Sequence, residues 1–213
     1  MRALVERGLG TKISLGGAFG LLHYLDYRTT YDLDGWWTDS ASREDQGQIV
    51  AVLEVTLSSF GSVRTRRWGD VVSVELEKDH RKVFSFQIAS RGALLEPCVV
   101  APWTEVLLDS LPDLVASKMV ALVERGAPRD FRDIHAVCQA GLVTPRECWT
   151  LWQRREHLTG SDASVERARL AVETHLTRIR VHRPLEQIED ARQRDEAERV
   201  RTWVTQELLR DLE

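Results

Sequence analysis

One arrangement of residues in this sequence carries chemistry in its spacing. Asp32-Leu33-Asp34 lies in a run from Tyr31 to Trp37 that reads as a strand. Positions i and i+2 of a strand project to the same face, so two carboxylates stand side by side and repel each other unless a cation lies between them. Hard oxygen ligands so placed suit Mg2+, which is commonly held by one or two carboxylates and by substrate phosphates. Fifteen residues before this pair, Gly16-Gly17 opens a stretch, Ala18 to Tyr27, with roughly helical apolar spacing. Glycines before a helix let backbone N–H groups approach a phosphate, and the helix dipole favours the anion. Taken alone, Gly-Gly is a turn and Asp-x-Asp is a polar strand end. With one helix between them they read as a phosphate cradle beside a metal site, a layout suited to moving a nucleotidyl group.

A second locus lies downstream. Of the 29 basic residues only Lys12, Lys78, Lys82 and Lys118 are lysines, so each is a rare choice. Lys118 sits in an apolar helical run with Val115, Met119 and Leu122. An ammonium there is costly unless it snorkels or meets an anion, which makes Lys118 the candidate to contact a nucleotide triphosphate. The alternative is a lysine at a helix edge. Arg129, Asp130 and Asp133 open the next helix. Asp130 fits the ordinary role of a first-turn carboxylate. Asp133, four residues from Arg129, fits either an ion pair on one helix or a site role, as a group that orients Lys118 or as an acid near the acceptor. Arg125 and Arg129 add positive charge suited to phosphate or RNA. Trp36 or Trp37, just past the carboxylates, could stack on a base. His23 and His135 read as structural residues.

The elements that must position these groups follow from periodicity. Ile13-Ser14-Leu15 is a short apolar run; Ile49, Val52, Leu53, Thr56, Leu57 and Phe60 fit one helical face. Three strand-like runs follow, Val63–Trp68, Val71–Glu77 and Val83–Ala89, broken by Gly69-Asp70 and Asp79-His80. On the second, Val72, Val74 and Leu76 share one face, and Ser73, Glu75 and Glu77 share the other. This predicts an antiparallel meander after helix–strand–helix. Beyond Pro102 the chain turns helical: Leu111–Arg125, closed by Gly126, then Arg129–Ala140, then a helix opened by the capping box Thr144-Pro145-Arg146-Glu147. Residues 161–213 hold 22 charged positions in 53 and read as a solvated helical pair, with Pro184 in the first turn of the second helix. The class is α+β, a mixed or antiparallel sheet flanked by helices with a C-terminal helical region. The expected division is an α+β core over 1–100 and a helical region over 101–213.

Composition narrows the function. A net charge of −4 excludes a general polyanion coat but not a local basic groove. No stretch approaches the length of a membrane span, and the N-terminus does not read as a signal peptide. Cys98, Cys138 and Cys148, odd in number and widely spaced, argue against a disulfide framework or zinc ribbon, and a reducing cytoplasm is the simple expectation.

Two blocks resemble a known family. Leu15-Gly16-Gly17-Ala18-Phe19, then Arg28, Thr29 and Asp32-Leu33-Asp34, is similar to the first motif of the AbiEii/AbiGii-type abortive-infection toxins, within the DNA polymerase beta-like nucleotidyltransferases. Leu114 to Gly126, with Lys118, followed by Arg129-Asp130-Phe131-Arg132-Asp133-Ile134, is similar to the second. The resemblance spans residues 15 to about 140. It implies a nucleotidyltransferase-like fold and transfer of NMP from an NTP to an acceptor, either RNA such as tRNA or a protein. It also implies Mg2+ held by Asp32 and Asp34, with Gly16, Gly17, Lys118, Arg125 and Arg129 on the nucleotide and Asp133 in the catalytic group. It further implies a cytoplasmic toxin of a toxin–antitoxin pair, with a cognate antitoxin as partner and no membrane. Two positions depart from the pattern: Ala18 stands where the family has Ser or Thr, and the strand Val83–Ile88 lacks the third acid typical of the superfamily, for which Glu75 or Glu77 is the available substitute. Those departures support an alternative, a degenerate nucleotidyltransferase fold that binds nucleotide or a partner without transfer. A third reading makes the Arg-rich 161–213 helices an interaction surface.

Overall fold

The computed structural model describes residues 1–210, which form two compact units, Met1–Leu114 and the chain from Val115 onward. Unit 1 holds all the strands. In chain order it runs α1 (Arg2–Val5), a 3-10 turn (Gly10–Lys12), β1 (Ile13–Leu15), α2 (Gly17–Leu22), β2 (Asp32–Trp37), α3 (Arg43–Ser58), β3 (Ser62–Trp68), β4 (Val71–Lys78), β5 (Arg81–Ala89), β6 (Val99–Val100) and β7 (Leu107–Leu108). The strands form one sheet in the order β3-β4-β5-β2-β1-β7-β6.

The expected meander is present: β3, β4 and β5 pair antiparallel, and Asp79 and His80 turn between β4 and β5 with both φ angles positive. The sheet is nevertheless mixed. β2 runs parallel to β5 and antiparallel to β1, and β1 runs parallel to β7. Those pairings join segments far apart in sequence, which periodicity does not report.

Register sorts the side chains into two faces. Thr65, Val74, Phe86 and Leu33 lie in one row across β3, β4, β5 and β2, and Val74, Phe86 and Leu33 are buried with Ile13, Leu15, Ile49, Val52, Ile88 and Leu108 in one core. α3 covers this core with Ile49, Val50, Val52 and Leu53, and starts at a capping box of Ser42 and Asp45. The next row, one residue along each strand, is polar: Arg66, Ser73, Gln87 and Asp34. A period-2 strand must turn these residues away from the core.

Unit 2 carries most of α4 (Leu111–Glu124), then α5 (Pro128–Gln139), α6 (Pro145–Thr159), α7 (Val165–His182), a 3-10 turn (Leu185–Gln187), α8 (Ala191–Trp203) and a final π-turn (Val204–Leu208). α5 packs on α8, and Trp149 of α6 donates from its indole to the Leu208 carbonyl at 2.9 Å. The capping box at Thr144 and Glu147 opens α6 as its sequence predicts.

Three expectations need correction. α2 ends at Leu22 rather than Tyr27, because residues 23–31 are half-buried or exposed and a short helix needs packing to persist. The segment 99–108, expected to lead into helices, supplies two more strands. Pro184 opens only a 3-10 turn; the second tail helix starts at Ala191, where the Asp190 carboxylate caps the Gln193 N–H at 2.8 Å.

Candidate active site

In unit 1, β1 ends in Gly16-Gly17, and the turn leads into α2 beside β2. Gly17 has φ +59, a left-handed conformation that favours glycine, and a Cβ there would fall inside the Asp34 carboxylate. Gly16 is equally closed: a Cβ would come within 2.7 Å of Trp36 Nε1 and 2.8 Å of Asp109 Oδ2. The Gly16 N–H donates to the Asp34 carbonyl at 2.8 Å, which ties the turn to β2. The Gly-Gly turn is thus walled by two carboxylates, Asp34 and Asp109. An approaching phosphate would meet negative charge there unless a cation lies between.

Asp32 and Asp34 share the polar sheet face, as strand alternation predicts. Asp32 is placed by the Thr30 hydroxyl, which donates to its carbonyl at 3.0 Å, and by its pairing with Ser85 on β5. The Ser85 hydroxyl donates to Asp32 Oδ1 at 2.5 Å, and the Lys82 ammonium stands 3.5 Å from the same oxygen. Asp34 faces Gln87 in the same pairing. The third acid is therefore absent from β5, where Ser85 and Gln87 hold the two in-register positions. Glu75 does lie on this face, opposite Ser85 from the other side, but its carboxylate is 3.1 Å from Arg66 Nε. Two strand spacings, about 9.6 Å, separate its backbone from that of β2. No group of three or more His, Cys, Asp or Glu side chains is placed to share a metal among the described residues.

Next to the turn lies a buried ionic cluster that periodicity did not single out. Arg91 donates to Ser14 Oγ at 2.7 Å and pairs with Asp109, just past β7. Its guanidinium lies 5.5 Å from the Trp36 ring centre, over the ring of one of the two tryptophans suggested for stacking. Burial pushes the Asp109 carboxyl above its ordinary range, against the pull of Arg91. The Cys98 thiol, 3.9 Å from Asp109, is also pushed up, by burial first and then by that carboxylate.

In unit 2, Lys118 of α4 is 8% exposed and its ammonium is 2.7 Å from Asp133 Oδ2 on α5. The Asp133 side chain is fully buried. Asp133 thus faces Lys118 across two helices, while Arg129 projects exposed from the first turn of α5. Arg125 pairs with Asp130 through two parallel bonds, Nε to Oδ2 at 2.9 Å and a terminal nitrogen to Oδ1 at 2.8 Å. Asp130 also accepts from the Ala127 N–H at 3.0 Å. This closes the α4–α5 corner, and half of the Arg125 side chain stays exposed. Cys138 and Cys148 face each other at 3.6 Å as free thiols; their contact and burial raise the Cys148 thiol far above its usual range. Cys148 is therefore no nucleophile at neutral pH. His23, read as a core residue, is exposed at the end of α2, edge-on to Tyr24.

A mixed sheet that presents paired carboxylates beside a Gly-Gly turn defines the class of the nucleotidyltransferases. The family is more particular. Residues 1–206 match the family described as nucleotidyl transferase AbiEii toxin, type IV toxin–antitoxin system, and the chain belongs to that family. Among solved structures it is similar to an antigenic nucleotidyltransferase-like protein from Paracoccidioides brasiliensis. The two share 14% identity over 86% of this chain and 85% of that one, with a TM-score of 0.42, a likeness that carries no argument about the site. No curated protein matches the chain. Among the described residues, no helix is long and apolar enough to cross a membrane.

Proposed function

We propose that the protein is a Mg2+-dependent nucleotidyltransferase that moves NMP from an NTP to an acceptor, RNA such as tRNA or else a protein, as the cytoplasmic toxin of a toxin–antitoxin pair. The observation that supports this most is the placing of Asp34 over the backbone of Gly17, with Asp32 two residues away on the same face. The donor set fits a hard divalent cation: two carboxylates from one strand, with substrate phosphates as the further ligands. Bound there, Mg2+ would polarise the α-phosphate and neutralise charge on the leaving pyrophosphate. The chain's own groups supply position. Gly16 and Gly17, lacking Cβ atoms, let the Asp34 carboxylate lie against the turn, and their backbone is assigned to phosphate; Ser85 holds Asp32 in place, and Lys118 is assigned to the nucleotide with Asp133 orienting it. Arg125 and Arg129 are assigned to phosphate or RNA as secondary contacts. A cognate antitoxin is the expected protein partner.

The test is incubation with each labelled NTP, Mg2+ and total tRNA. A labelled RNA band that disappears in Asp34→Ala is expected. A second reading, a fold that binds without transfer, draws on Ser85 and Gln87 in place of a third acid and on Ala18 in place of a hydroxyl. No transfer from any NTP to RNA or protein, with nucleotide binding unchanged by Asp32→Ala, would establish that reading instead.

A further inference from the structure

The polar face of the sheet contains a cation that the motifs do not account for. β4 and β5 pair in regular antiparallel register from Val72 opposite Ile88 to Leu76 opposite Phe84, and then the register slips. Glu77 faces Lys82, not Val83, so Val83 is one extra residue on β5. In a regular strand, alternation would put Val83 on the face of Ser85 and Gln87 and turn Lys82 to the opposite side. The bulge reverses this and aims Lys82 at the acids. Its ammonium reaches 3.5 Å from Asp32 Oδ1 and 3.4 Å from Ser85 Oγ. In a chain with four lysines among 29 basic residues, one of them is thus carried by a strand irregularity to the carboxylate pair, on the strand where the superfamily's third acid is missing.

We infer that Lys82 is a built-in counter-cation of Asp32 that competes with a divalent cation for the Asp32/Asp34 pair. Without a third acid, two carboxylates hold two negative charges, and the ammonium cancels part of that charge. A divalent ion bound to Asp32 would sit within a few ångströms of the ammonium, so Lys82 weakens metal binding until it swings aside. It has room to do so, because 46% of the Lys82 side chain is exposed, and 42% of that of Asp32. An exposed pair at 3.5 Å contributes little to folding, so the position is set by charge at the site and not by a need for stability. Lys82 is therefore a positioning residue that sets how tightly the metal is held.

The inference rests on the reading that Asp32 and Asp34 bind a divalent cation. The experiment titrates the full-length protein with Mn2+ alone, followed by electron paramagnetic resonance of free Mn2+. Lys82→Met is expected to tighten Mn2+ binding by about three- to tenfold, the size of one unit charge removed at a few ångströms in a high effective dielectric. Lys82→Arg, which keeps the charge, is expected to stay within about twofold of the parent, a difference of only about 0.4 kcal/mol. Unchanged melting temperatures would show that neither variant perturbs the fold. Equal or weaker Mn2+ binding in Lys82→Met, or no Mn2+ binding by parent and variant alike, would overturn the inference. If instead Mn2+ binding persists unchanged in Asp32→Ala and Asp34→Ala, the metal reading of the pair itself fails. Transfer lost in Asp34→Ala together with an unaffected Lys82→Met titration would sink this inference alone.

Discussion

The two Asp–Lys pairs of the motifs, one in each unit, are held in opposite ways. On the sheet of unit 1, Asp32 is 42% exposed and its nearest cation, Lys82, stands 3.5 Å away and is itself half in solvent. In unit 2, the Asp133 side chain is fully buried and Lys118 is 2.7 Å from it. Both are Asp–Lys pairs one motif apart in sequence, yet their physics differ. The exposed pair is weak and exchangeable, so another cation can enter it at small cost. The buried pair cannot lose one member without leaving an uncompensated charge in the interior. A residue type in a motif therefore does not state its task. The exposed Asp32–Lys82 pair can open to another cation, while Asp133 holds Lys118 in place.

The largest effect should come from breaking the buried pair. Asp133→Ala is expected to cost about 3–5 kcal/mol of folding stability, read as a melting temperature lower by roughly 10 °C for a chain of this size. Lys118→Met with Asp133→Leu, which removes both charges and keeps apolar volume, is expected to recover most of that stability while transfer stays lost. The double variant separates the two roles of the pair. If Asp133→Ala melts with the parent protein, the pair is not the fixed element described above.

Next in size is the loss of Asp34. Asp34→Ala is expected to lower nucleotide transfer by about 100-fold or more, since a metal contributes several kcal/mol of charge stabilisation. Its melting temperature should stay close to that of the parent, because a half-exposed strand position costs about 1 kcal/mol or less. A destabilisation as great as that of Asp133→Ala would erase the contrast between the two units. Gly17→Ala sharpens it further. The substitution forces a Cβ into the Asp34 carboxylate at a positive φ, with strain of about 1–2 kcal/mol. A modest fall in melting temperature, with transfer reduced to the level of Asp34→Ala, is the expected result.

How much of this was legible depends on the range of the interaction. The Asp32–Asp34 pair, the polar face of β4 and the capping box at Thr144 depend on residues within a few positions, and period-2 and helix-start signals expose them. The Lys118–Asp133 juxtaposition spans two helices joined by a short corner, and it was readable only as one of three options, the others being an Arg129–Asp133 ion pair and an acid near the acceptor. The contacts that define the charge at Asp32 were hidden. Ser85 reaches Asp32 because β2 and β5 run parallel across more than 50 residues, and Lys82 reaches it because of a one-residue bulge. Neither has a local signature. Arg91 with Asp109 is hidden for the same reason: β7 had no periodic signal, being two residues long.

The smallest effect concerns pH and sharpens the contrast from the side of unit 2. His135 lies two residues past Asp133 on α5, edge-on to Trp203 at 5.2 Å. Burial lowers its affinity for a proton, Arg199 adds to that, and Glu196 opposes it. Its folded-state value thus lies below the ordinary 6.5. The unfolded chain takes up the proton first as pH falls, so stability is fully present above about pH 6.5 and is lost as pH falls through the folded-state value. The melting temperature is expected to drop by a few degrees between pH 7.5 and 5.5, and His135→Phe, which keeps a ring against Trp203, should flatten that drop. Because His135 and Asp133 share one helix, the acid-induced loosening should reach the buried pair. The Asp133→Ala protein, already lacking that pair, should then unfold at a higher pH than the parent, whereas Asp34→Ala should follow the parent's pH profile. A variant profile in the reverse order would place the acid-sensitive element outside α5.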